Sequence, residues 1–68
     1  MITKKDARDY LDQIFMTEMK MKAAYTDLSK KVQDSTLVNL FDSLQKEEQE
    51  HADLVTKLQK IIEENWPE

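Results

Sequence analysis

Leu37-Val38-Asn39-Leu40-Phe41-Asp42-Ser43-Leu44, running on through Glu47-Glu48-Gln49-Glu50-His51 to Val55, Leu58 and Ile62, is the stretch that decides the fold. Read in steps of four and three it selects Leu37, Phe41, Leu44, Glu48, His51, Val55, Leu58 and Ile62. That is the a/d spacing of a helix bundle. The same spacing upstream selects Ala7, Leu11, Ile14, Glu18, Met21, Tyr25, Leu28 and Val32. Phe15, Met19, Leu40, Leu54 and Ile61 flank these seams and widen each stripe beyond what one neighbouring helix covers. The break between the two periodic segments is Gln33-Asp34-Ser35-Thr36, whose Asp, Ser and Thr can each cap a helix start. Thr3 followed by Asp6 has the form of a capping box, and Trp66-Pro67 ends the second segment because a residue before proline is driven out of the helical region. The sequence therefore predicts an all-α chain forming a single domain over 1–68. Helix 1 spans about 4–32 and helix 2 about 35–65, each roughly 45 Å long and joined as an antiparallel hairpin.

Composition narrows what such a hairpin can be. A chain of 68 residues, 40% of them apolar, buries only about 60% of its unfolded surface and needs a staple of some kind. Cysteine is absent, which removes disulfides, thiolate metal sites and thiol nucleophiles. Glycine is absent too, which removes phosphate-cradling loops. Oligomerisation and a metal held by carboxylate or imidazole are what remain, and the wide apolar stripe predicts that a second chain completes a four-helix bundle. With 10 basic against 14 acidic residues and no long basic block, no nucleic-acid groove is expected. No apolar run approaches the 18–20 residues, roughly, of a membrane span, and the charged N-terminus lacks a signal-peptide core. The expected location is cytoplasmic.

Glu18, Glu48 and His51 are polar at seam positions where packing favours apolar side chains. A carboxylate on a buried face costs several kcal/mol unless it is paired or bound to a cation. About the turn at Gln33-Asp34, all three fall at one level of the hairpin, and Glu48 and His51 share a face as an i, i+3 pair. Two chains related by a twofold axis would bring together four Glu and two His, the ligand set of a di-metal carboxylate centre in a bundle. Mixed oxygen and nitrogen donors suit iron or manganese, with zinc also competent.

Glu18, six residues, Tyr25, and then Glu48-Gln49-Glu50-His51 resembles the ferritin-like Glu-x6-Tyr … Glu-x2-His motif. Most members carry it twice in one chain; here it occurs once, which is similar to the encapsulated ferritins, whose two-helix chains dimerise to assemble the site. The resemblance implies a di-iron centre in a homodimer, with two Fe per dimer. Glu18 and Glu48 would ligate or bridge the metals, His51 would be the nitrogen ligand, and Tyr25 would hydrogen-bond a ligating carboxylate. It also implies ferroxidase-type activity toward Fe(II) with O₂ or peroxide. The C-terminal Glu63-Glu64-Asn65-Trp66-Pro67-Glu68 does not look like a tail that directs cargo into a protein shell, which leaves residence in such a compartment open.

Plainer readings stand beside these. His51 is a satisfied core histidine if it stands alone, and a ligand if Glu18 and Glu48 converge on it. Glu47 lies on a second stripe with Leu40, Leu44, His51, Leu54 and Leu58 and is either peripheral to the site or a further ligand; Glu50 reads as solvated. Met16, Met19 and Met21 read as adaptable core filler, and Tyr25 as plain core if its hydroxyl reaches a carbonyl. Two other functions are open: a non-catalytic antiparallel coiled-coil module whose seam Glu and His only set register, and a rubrerythrin-like peroxide reductase drawing on an external electron donor.

Overall fold

The computed structural model describes residues 2–67. Among them the chain forms two helices and no strand, α1 (Lys4–Lys31) and α2 (Ser35–Asn65), packed side by side as an antiparallel hairpin with Cα extents of 51 × 14 × 14 Å. Each helix end has a local cause. The Thr3 hydroxyl accepts the Asp6 N–H at 3.0 Å while the Asp6 carboxylate accepts the Thr3 N–H at 3.1 Å, a reciprocal capping box. Lys30 and Lys31 place positive charge on the carbonyl end of α1, where the helix dipole favours it. Val32 turns into extended backbone, and Asp34 restarts the helix by accepting the Leu37 N–H at 3.0 Å. Trp66, held extended by Pro67, ends α2.

One register runs through the hairpin, written in polar side chains along one edge. The Arg8 guanidinium forks onto the Glu63 carboxylate. Gln59 donates to Asp12 at 2.7 Å, Lys22 donates to Gln49, Thr26 donates to Gln45 at 2.7 Å, and Ser29 donates to Asp42 at 2.7 Å. Every step along α1 is matched by an equal step back along α2. In the gap between the Asp12–Gln59 and Lys22–Gln49 rungs sits Ala52, wholly buried, where a small side chain lets the two backbones close up.

Each helix carries two adjacent heptad seams. The inward seam of α2 is Val38, Phe41, Gln45, Glu48, Ala52, Val55, Gln59 and Ile62, all buried or half-buried against Leu11, Phe15, Glu18, Lys22, Tyr25, Ser29 and Val32 of the α1 side. The outward seam of α2 is Leu37, Leu40, Leu44, Glu47, His51, Leu54, Leu58 and Ile61, exposed apart from half-buried Leu44. On α1, exposed Tyr10, Ile14, Met21 and Leu28 form its counterpart. The 4,3 reading that starts at Leu37 threads between these seams, about 50° from each, because one residue is 100° of helix. Ile14, Met21, Leu28, Leu37, His51 and Leu58, read from the sequence as part of a four-helix-bundle seam, are exposed in the single hairpin.

The outward seams matter because so little is covered. Ala7, Leu11 and Ala52 are the buried apolar residues among those described, and no large side chain is fully enclosed. The chain exposes 5283 Å², against roughly 4,500 Å² for a compact monomer of its 8.1 kDa. Ala52→Leu should force the helices apart and lower stability by about 1–3 kcal/mol in urea melts. Ala23→Leu, on the exposed outer face, should stay within about 0.5 kcal/mol.

Candidate metal centre

Glu18, Glu48 and His51 meet at mid-height of the hairpin, where the inward and outward seams adjoin. The register delivers Glu18 from α1, and the i, i+3 offset stacks Glu48 and His51 on one side of α2. Each residue offers a donor atom within 4.8 Å of the others. His51 Nδ1 lies 3.5 Å from Glu18 Oε2 and 3.8 Å from Glu48 Oε2, longer than direct hydrogen bonds and suited to an ion between them.

The three are not equally covered. Glu48 is only 7% exposed, the Glu18 side chain 19%, and the His51 side chain 58%. The buried Oε2 atoms of Glu18 and Glu48 have no hydrogen-bond partner within the chain. Native interiors rarely leave such acceptors unmatched, and with the imidazole they form a group that could hold a metal ion. The protonation balance shows the same crowding. The hydrogen bond that a protonated Glu48 can give the Glu18 carboxyl is the main reason that the Glu48 pKa lies above its ordinary value; burial and repulsion from Glu18 add to this, Glu47 adds a little, and His51 opposes it.

Tyr25 lies one heptad toward the turn, half-buried, its ring stacked on Phe41 at 6.4 Å between centroids. That aromatic layer lies about two helical turns from the site, toward the turn. Glu47 is exposed on the outward seam, outside the three-residue cluster, and Glu50 is exposed on the far side of α2. Met16 and Met21 are exposed and Met19 is half-buried. The rungs that set the level of the site, Gln45, Gln49 and Gln59 with their α1 partners, were not singled out from the sequence, because a polar residue beside an apolar stripe carries no one-dimensional mark of a cross-helix bond.

No protein-family model, curated protein or solved structure matches this chain. Among the described residues, no helix is long and apolar enough to cross a membrane.

The raised Glu48 pKa fixes the sign of a pH effect. In the metal-free hairpin the folded state holds this proton more tightly than the unfolded chain, so the contribution is favourable below the ordinary carboxylate range. It is lost as pH rises through the elevated value. Metal-free protein should therefore lose melting temperature as pH rises from about 4.5 toward neutrality. Glu48→Gln should flatten that dependence and melt higher than the metal-free parent at pH 7, as read by circular dichroism.

Proposed function

We propose that this chain is half of a ferritin-like bundle, a helical hairpin that pairs with a second copy to bind and oxidise Fe(II). The observation that carries the reading is Glu48, a buried carboxylate whose unpartnered oxygen points with that of Glu18 toward one imidazole. Structural helix pairs gain nothing from such a group, and an ion of charge +2 turns its cost into binding. The Glu-x6-Tyr … Glu-x2-His resemblance supports the same reading.

One chain offers two carboxylates and one imidazole, too few donors for two metal ions about 3.5–4 Å apart. A twofold copy doubles the set, and its four carboxylates balance two divalent ions in charge. In this arrangement Glu18 and Glu48 would hold the ions, and His51 would ligate through Nδ1, the nitrogen already turned to the carboxylates. Tyr25 would steady a ligating carboxylate through its hydroxyl. Two Fe(II) ions, as substrate, each surrender one electron to O₂, which with two protons leaves as peroxide; with peroxide as oxidant the product is water. Protein carboxylates favour the Fe(III) product electrostatically. Manganese or zinc would fit the same donors without this redox step.

A non-catalytic helical interaction module is favoured by one observation, the exposed outward seam, and the metal separates the two readings. Fe(II) or Mn(II) at about a hundredfold over Kd should raise stability by about 2.7 kcal/mol, or roughly 10–20 °C in Tm, relative to chelated protein. A melting point indifferent to metal would favour the module. Glu18→Ala, Glu48→Ala and His51→Ala should each lower Fe(II) oxidation by more than about tenfold with helicity kept, since even groups that only orient ligands are worth that much. Glu50→Ala should leave the rate unchanged.

A further inference from the structure

The outward seam of α2 has the same order read in either direction. Counted outward from Gln49, Glu47 stands level with His51, Leu44 with Leu54, and Leu40 with Leu58. A helix carrying the same seam and turned end for end sets leucine on leucine and carboxylate on imidazole. We infer that two copies pair along α2, antiparallel and with the twofold axis at Gln49, so that Glu47 of each chain accepts a hydrogen bond from the partner's His51 through Nε2–H. This deepens the dimeric reading above and rests on it for the second copy.

Three observations carry it. The first is register. A slip of one heptad in either direction sets Glu47 against Leu44 or Leu58 and His51 against Leu40 or Leu54, leaving both polar groups covered and unpaired. Parallel pairing sets Glu47 on Glu47, a like-charge contact. Only the antiparallel register centred at Gln49 matches every polar group. The second is the state of the groups in the single chain. His51 turns Nδ1 toward Glu18 and Glu48, while 58% of its side chain remains open on the outward side. Imidazoles that bind metal through one nitrogen regularly donate the other N–H to a carboxylate. Glu47 supplies that acceptor. It lies on the exposed seam, which holds no Lys or Arg, and no hydrogen bond or ion pair within the described chain engages it. The third is level. An axis at Gln49 passes between Glu48 and His51, so the two half-sites come face to face at the height where each is short of donors.

The opposite edge cannot serve. Its Arg8–Glu63, Asp12–Gln59 and Thr26–Gln45 bonds are already satisfied within the chain, and burying them would return no new partner. Charge complementarity at the centre and leucine on both sides therefore commit the outward seam to a second copy of this chain.

The chain has no cysteine, so introduced thiols report cleanly. Leu44→Cys/Leu54→Cys protein, checked for helicity, is treated with a short bis-maleimide, once with chelator and once with Mn(II), and covalent dimer is read on a denaturing gel. The double variant should bridge in at least one of the two conditions, while Leu44→Cys and Leu54→Cys alone stay monomeric. Leu44→Cys/Ile61→Cys, which reports the slipped register, should bridge far more slowly. Self-bridging by a single variant, faster bridging of the 44/61 pair, or no bridged dimer in either condition would each overturn the pairing. Metal content of the cysteine-free parent is measured separately: a 44/54 bridge in protein that retains no metal would sink the iron reading alone, whereas retained metal without the bridge would sink the pairing alone.

Discussion

A carboxylate closed in beside another carboxylate is the constraint around which this hairpin is arranged. Glu48 is as buried as Leu11, and the Glu18 carboxyl beside it holds its pKa above the ordinary value. A leucine at either position would pack better and cost nothing in desolvation. In a chain whose buried apolar residues are Ala7, Leu11 and Ala52, placing two carboxylates at the centre sacrifices a large share of the stability available. Only a proton or a cation relieves the crowding. A proton would relieve it at low pH and, in the metal-binding reading proposed above, a divalent ion would do so at neutral pH.

The two edges of the hairpin divide the remaining work. One edge is laced by side-chain bonds that hold α2 against α1 in the register that the short turn sets, with Glu18 level with Glu48. Such exposed bonds contribute little to stability individually, and their value is in specifying register. The other edge is apolar and unlaced, with Leu37, Leu40, Leu54, Leu58 and Ile61 open to solvent. Two helices side by side form a single layer with almost no interior of its own, so most of the apolar surface is turned outward. The Glu18–Glu48–His51 cluster lies where these two tasks meet, with Glu48 held by the hairpin and His51 presented at the open side.

Local rules account for what the sequence by itself determined. Capping at Thr3 and Asp34, the stop at Trp66-Pro67, and the lack of any breaker within either segment require nothing beyond neighbouring residues, so two helices and their ends were legible. The short connection made them antiparallel, and equal distances from the turn placed Glu18, Glu48 and His51 at one level. The rotation of each helix about its axis was not legible. Two apolar seams one residue apart look like a single broad stripe in one dimension, and a 4,3 count drawn through that stripe mixes their members. Tertiary structure decided the matter through groups that carry no apolar signal: Gln45, Gln49 and Gln59 found partners on α1, and Ala52 allowed the backbones to approach. Those contacts turned Glu48 inward and left His51 and Glu47 outward. Helix formation depends on spacing along the chain, whereas the facing of a helix depends on which side chains of its neighbour can bond and fit, and that information exists only once the two are packed.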